Sequence, residues 1–99
     1  MARVELTARA IERLDRLIIT HSLPADTYAR AYRTLSPLER FPELGREVGG
    51  RWNRLRFILG PWRWMLIVYA YDEGSDLVSV LTIQDARSSA AVTSLAPPR

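Results

Sequence analysis

The apolar residues of this chain change their spacing once, near its middle, and that change restricts the fold more than any other feature. Between Ala8 and about His21, the residues Ala10, Ile11, Leu14, Leu17 and Ile18 recur at helical spacing, while Arg9, Glu12, Arg13, Asp15 and Arg16 fall mainly on the other side. That spacing predicts a helix with one buried stripe, and Thr7 stands where a helix N-cap belongs. Glu12 and Arg16 take the favoured order for a charge pair one turn apart. A second helix is expected from about Asp26 to Leu35, after the turn Leu23-Pro24-Ala25-Asp26. Pro37 would break the interior of that helix. Ser36, Pro37 and Glu39 therefore read as cap, first helical residue and capping-box partner of a further turn ending near Phe41-Pro42. A short strand, about Arg3 to Leu6, precedes the helices.

Beyond the loop from Pro42 to Gly50 the period becomes two. Asn53, Leu55, Phe57 and Leu59 point one way, and Trp52, Arg54, Arg56 and Ile58 the other. Gly60-Pro61 reads as a two-residue type II′ turn. The next strand, Arg63 to Tyr71, is apolar on both faces and so belongs inside the sheet. Asp72 to Asp76 closes another turn at Gly74, and Leu77 to Gln84 makes the last strand. The expected fold class is α+β. An N-terminal strand and an αα-hairpin pack on one face of a small, twisted, mainly antiparallel sheet of about four strands. Residues 1–87 form the domain, and the tail 88–99, rich in Ser and Ala and ending Ala-Pro-Pro-Arg, is expected to be partly disordered.

A chain of 99 residues encloses one core. It has no cysteine, which excludes disulfides and thiolate metal sites and suits a reducing cytoplasm. Arg3 and Glu5 stand where a signal peptide needs an apolar core. The longest apolar run, Trp64 to Tyr71, is far short of the roughly 20 residues of a membrane helix. No metal-ligand spacing is present, and no cofactor is expected. The net charge is +3 and every basic residue is arginine. Residues 48–71 carry Arg51, Arg54, Arg56 and Arg63 and no carboxylate, so the positive charge gathers in the segment that reads as a β-hairpin.

A two-residue turn would pair Leu59 with Trp62 and Arg56 with Met65. Arg63 would then share a face with Arg54 and Arg56, with the Arg56 and Arg63 Cβ atoms roughly 7–8 Å apart. Leu55, Phe57, Trp64, Leu66 and Val68 would face the helices. Three unneutralised guanidinium groups on one surface suit a phosphate backbone, which they can grip through charge-assisted bidentate bonds. A solvated sheet face neutralised by Asp72, Asp85 or the tail is the plain alternative. Trp52 and Trp62 flank the arginines, placed either to stack on bases or to close the core.

The order strand, two helices, Leu38-Glu39-Arg40-Phe41-Pro42-Glu43-Leu44-Gly45-Arg46, and then an aromatic-Arg strand resembles the RelE/ParE toxin superfamily of type II toxin–antitoxin systems. The matching pieces are Arg54-Leu55-Arg56, Trp62-Arg63, Tyr69-Ala70-Tyr71-Asp72-Glu73 and Ile83-x-Asp85-x-Arg87, covering about residues 3–88. The resemblance implies catalytic roles for Arg54, Arg56, Arg63 and Arg87; the residues beside them, Arg51, Trp52 and Trp62, are the expected RNA contacts. It also implies a cytoplasmic toxin that meets mRNA on the ribosome and is neutralised by a cognate antitoxin whose disordered segment folds over the helices and sheet edge. In RNA-cleaving members a 2′-hydroxyl attacks the adjacent phosphate, which calls for in-line positioning and for cations against the growing charge.

Arginine is a poor base, and here the chain departs from the family pattern. Residues 88–99 hold no tyrosine or histidine, and Asp85 stands where many relatives have histidine. Tyr69, Tyr71, Asp85 and Glu47 remain as candidates for proton transfer, while His21, at a helix end, is expected far from the arginines. ParE-like members poison DNA gyrase on the same scaffold without cleaving anything, so the missing base leaves that alternative open. A non-toxic nucleic-acid-binding domain is the third.

Overall fold

The computed structural model describes residues 1–49 and 54–87. The expectations for Arg51, Trp52, Asn53 and the tail 88–99 lie outside these residues. Strand β1 (Arg3–Leu6) leads into α1 (Ala8–Thr20), α2 (Thr27–Leu35) and a 3-10 turn (Ser36–Glu39), followed by β2 (Arg46–Glu47), β3 (Leu55–Leu59), β4 (Met65–Asp72) and β5 (Leu77–Asp85). One sheet of five strands runs in the order β1-β5-β4-β3-β2. β1 lies parallel to β5 and the other pairs are antiparallel. The α+β architecture expected from the sequence is the one formed, with one strand more, because β2 lies inside the segment read as loop.

Thr7 fixes where α1 begins. Its Oγ1 accepts from the Ala10 backbone N–H at 3.2 Å and lies 2.9 Å from the Val80 carbonyl, to which it donates. A single hydroxyl thus caps the helix and ties it to β5. Ala10 and Leu14 are buried, and Leu17 and Ile18 pack at the margin of the core. Tyr28 on α2 donates to Asp15 on α1, joining the two helices. A further turn does start at Ser36, as a 3-10 helix with Pro37 in its first positions, but the capping box does not form. Ser36 is itself αR (φ −51, ψ −42) and its N–H bonds to the Tyr32 carbonyl, so α2 tightens into the 3-10 turn without a side-chain cap. That continuation carries Leu38 into the core beside Leu35, a gain the capping pattern could not reveal.

The largest corrections concern the β3–β4 hairpin. Its loop is longer than two residues: the Gly60 N–H bonds to the Met65 carbonyl, and the Met65 N–H to that of Trp62. Leu59 consequently pairs with Leu66 and Arg56 with Tyr69, while Arg63 lies in the loop and not on a strand. The grouping of side chains by parity survives this slip, because the register moves by an even number of residues. The choice of inner face is reversed. Ile58, Met65, Ile67 and Tyr69 join Ala10, Leu14, Ala31, Leu35 and Leu38 in the core between sheet and helices. Leu55, Phe57, Leu66 and Val68 take the outer face.

The reason lies in β5. Val78 and Val80 alternate with Ser79, and Val78 pairs with Tyr71 and Val80 with Tyr69. Turning the valines inward commits Tyr69 and Tyr71 to the same side. A bulge then leaves Leu81 without a partner on β4, between the pairs Tyr69–Val80 and Val68–Thr82, so that Ile83 faces inward as well.

Replacing Thr7 by Val removes the cap acceptor and the donor to Val80 while keeping the side-chain shape. A loss of about 1–2 kcal/mol is expected, measurable by urea unfolding. An unchanged midpoint would show that Thr7 caps nothing of consequence.

Candidate functional site

The sheet has two polar ends, and the sequence-predicted residues divide between them. At the first end lie Arg54 and Arg56. Arg56 sits on the helix side of β3, opposite both Glu47 and Tyr69. Its Nη1 donates to the carbonyls of Glu43 (3.1 Å) and Gly45 (2.9 Å), and its Nη2 to Glu47 Oε1 (3.2 Å). Arg56 thereby clamps the segment 43–47 to the sheet, with its stem along the apolar margin and its head at the rim. Glu47, considered for proton transfer, is this clamp's carboxylate.

Beneath the clamp, the Gly45 N–H donates to the Tyr69 hydroxyl at 2.8 Å. A Cβ on Gly45 would stand 2.7 Å from both the Phe57 carbonyl oxygen and the Tyr69 hydroxyl, so only glycine fits this approach. Tyr69 is fully buried, and that burial pushes its hydroxyl pKa up. Tyr71 donates to Asp76 at 2.8 Å, a bond that pushes its pKa up to about 12. Neither tyrosine is presented as a base. Arg54, Arg56, Glu43, Tyr71 and Glu73 line an open depression of about 400 Å³.

At the other end stand Asp85, Arg87, the hairpin loop with Trp62, Arg63 and Trp64, and His21. The expectation that His21 lies far from the arginines is overturned. His21 closes α1, and its Nε2 lies 3.0 Å from Asp85 Oδ2. The same carboxylate binds Arg87 in a fork, with Nε 3.1 Å from Oδ1 and Nη2 3.0 Å from Oδ2, and accepts the Arg87 N–H at 2.9 Å. Arg87, more than any other neighbour, holds the Asp85 carboxyl well below the usual carboxylate range; the His21 bond adds to the effect.

The His21 ring stacks on Trp64 with centroids 4.5 Å apart and planes 14° from parallel. Arg87 lies 5.1 Å from the Trp64 ring centre, Trp62 stacks on Trp64 at 6.2 Å, and Arg30 of α2 lies over Trp62 at 5.7 Å. A base stacking on Trp62 would have to displace one of these neighbours. Arg63 is exposed at the loop.

The four arginines do not converge. Asp85 pairs with Met65 and Arg56 with Tyr69, four residues apart on β4, or about 13 Å of strand. Sequence reasoning missed His21 because the contact joins the end of α1 to the end of β5, 64 residues away. The sole signal was an unexplained histidine at a helix end. Among the described residues, no group of His, Asp and Glu is arranged to hold a metal ion, and no helix is long and apolar enough to cross a membrane.

Two measurements test these assignments. Gly45→Ala should cost about 1–3 kcal/mol through the clash with fixed backbone, more than Tyr69→Phe, which loses one hydrogen bond worth about 1 kcal/mol; denaturant unfolding ranks the two. Asp85 is held down in the folded chain, so its contribution to stability is present above its unfolded pKa and is lost as pH falls. The stability difference between the parent and Asp85→Asn should be constant from neutral pH to about 5 and shrink below about 4. A difference that grows on acidification would refute the assignment.

No protein-family model matches the sequence, and no curated protein matches it significantly. Solved structures do. A chain of the toxin–antitoxin complex RelBE2 from Mycobacterium tuberculosis superposes with a TM-score of 0.62 at 20% identity, over 85% of this chain and 96% of that one. The isolated RelE toxin of E. coli gives 0.62 at 14% identity, over 95% and 94%. The archaeal RelE–RelB complex from Pyrococcus horikoshii gives 0.56 at 17% identity, over 89% and 98%. The chain has the fold of the RelE toxins.

Proposed function

We propose that this chain is the toxin of a toxin–antitoxin pair and that it cleaves mRNA on the ribosome. The observation that carries the reading is the superposition over nearly the full length of RelE structures, two of them solved as toxin–antitoxin complexes. Fold alone does not fix function, so the site must supply the chemistry. Arg63 and Arg87 stand at the same end of the sheet, both exposed. The Arg30–Trp62–Trp64–His21 stack forms a firm base beneath the hairpin loop. On this reading Arg63 and Arg87 take the scissile phosphate and its neighbour, while Arg54 at the opposite end takes a more distant phosphate or ribosomal RNA. Arg56, held by three acceptors, shapes the loop 43–47 and does not reach the substrate.

The antitoxin would cover apolar surface. The outer sheet face carries Leu55, Phe57 and Leu66, with Leu59 48% exposed, and Phe41 and Leu44 are 63% and 59% exposed on the loop before β2. An amphipathic segment with acidic residues would shield this surface and neutralise the arginines at its ends.

Induced expression should arrest growth, with transcripts cut on translating ribosomes. Arg87→Ala and Arg63→Ala should each lower cleavage by about 10–1,000-fold, and co-expression of the neighbouring small open reading frame should restore growth. Arrest with intact transcripts and inhibited supercoiling by purified gyrase would replace this reading with the gyrase one. Harmless expression would leave only a nucleic-acid-binding domain.

A further inference from the structure

We propose that His21 is the general base of the RNA cleavage, Asp85 its positioning residue and Arg87 the phosphate ligand beside it, a proposal that rests on the ribonuclease reading above. The sequence offered four candidates for the base, and the geometry removes each of them. Tyr69 is buried with its hydroxyl against Gly45, Tyr71 is bonded to Asp76, and Glu47 is bonded to Arg56. Asp85 itself is saturated by Arg87 and His21.

The carboxylate defines the state of the imidazole. A carboxylate only accepts, so His21 Nε2 carries the hydrogen it shares with Asp85 at 3.0 Å. In the neutral ring Nδ1 then holds the lone pair. Nδ1 lies 2.9 Å from the hydroxyl of Thr20, on the exposed side of the ring. Thr20 Oγ1 also lies 3.0 Å from the Arg16 carbonyl, so its hydrogen has a second acceptor and Nδ1 can be released to a substrate hydroxyl. A ring oriented by a carboxylate at one nitrogen and open at the other is the arrangement that acid–base catalysis requires. Trp64, stacked at 4.5 Å, holds the ring plane. Among the described residues, the charged groups at this site are Asp85, at the end of β5, and Arg87, just beyond it; α1 supplies Thr20 and the Arg16 carbonyl.

Asp85 Oδ2 receives both His21 Nε2 and Arg87 Nη2, each at 3.0 Å. A single oxygen thus sets base and cation side by side. Among the described residues, Arg87 uses Nε and Nη2 on Asp85, leaving Nη1 for a phosphate oxygen. The step is a transesterification. The RNA 2′-hydroxyl gives its proton to Nδ1, a bond forms between the 2′-oxygen and phosphorus, and the bond from phosphorus to the 5′-oxygen breaks. The leaving 5′-oxygen takes a proton from water, and the imidazolium returns its own to the solvent. The products are a 2′,3′-cyclic phosphate and a 5′-hydroxyl. Arg87 offsets the negative charge that gathers on the phosphoryl oxygens.

The test uses the full-length protein on mRNA-programmed ribosomes. His21→Gln keeps an N–H for Asp85 but has no titrating nitrogen. It should retain the thermal midpoint of the parent and lose at least about 100-fold in kcat; the acid limb of the parent's pH–rate profile should vanish. Asp85→Asn, which frees both the tautomer and the Arg87 guanidinium, should lower kcat. If the parent cleaves and His21→Gln cleaves as fast, or keeps the same acid limb, the proposal is wrong and the ribonuclease reading survives. If the parent itself leaves ribosome-bound mRNA intact, both fall. Should His21→Gln unfold, His21→Asn with added imidazole serves in its place: recovery of rate with imidazole concentration supports the base, and none overturns it.

Discussion

The inward row Met65, Ile67 and Tyr69 on β4 is the constraint on which the rest of the structure depends. All three are fully buried against the helices, and each fully buried large side chain contributes about 1.5–3 kcal/mol relative to an exposed one. With that row inside, every other side chain of the hairpin has its face assigned by parity. Arg56 must then lie on the helix side, where no apolar partner suits it, and it escapes to the rim to bond the loop 43–47. The aliphatic residues of β3 other than Ile58 are left on the outer face. The arginines are therefore distributed by packing before any substrate is considered.

Much of the fold was legible. The period of α1, its cap at Thr7 and the extents of β1 and α2 follow from local rules that the structure obeys. The inner face of the sheet was not legible, and the cause is specific. On β4 both rows are apolar, Met65, Ile67 and Tyr69 against Leu66, Val68 and Ala70, so alternation there carries no information. Reasoning from Arg54 and Arg56 gave the less weighty vote, because an arginine at a sheet margin can reach solvent from either face. The decisive pattern was Val78-Ser79-Val80 on β5, transmitted to β4 by a register that no local rule supplies. The loop length at Gly60-Pro61 failed for a related reason. Trp62 and Trp64 pack against the core from within the loop, and this tertiary gain outweighs the preference of a Gly-Pro step for a tight turn.

For the site the lesson is different in kind. Arg87 and Asp85 were visible as a motif, but their relation to His21 depends on where the end of α1 meets the end of β5. Thr7 begins that helix on β5 through Val80, and thirteen residues of α1 at about 1.5 Å each carry the chain roughly 20 Å along the sheet. Its far end therefore arrives near the far end of β5, where Asp85 lies. The cap that starts the helix and the length of the helix jointly place the imidazole. A deletion of one residue in α1 would rotate His21 by about 100° about the helix axis and remove it from the carboxylate.

The two polar ends also differ in what their hydrogen bonds leave over. At the Arg56 end the guanidinium is held by two carbonyls and a carboxylate, and the tyrosines are fixed by Gly45 and Asp76. Such an arrangement is rigid and structural, with Arg54 beside it as the projecting cation. At the Asp85 end the carboxylate is fully used, yet its two partners each keep a nitrogen turned away from it, Nδ1 on His21 and Nη1 on Arg87. A shared acceptor fixes the spacing of an imidazole and a guanidinium and leaves each a further nitrogen. Preorganisation of that kind limits the reorganisation needed as charge develops, and it requires Asp85 to remain ionised, which the fork from Arg87 secures. On the cleavage reading proposed above, the end of α1 brings the imidazole and β5 supplies the carboxylate that orients it.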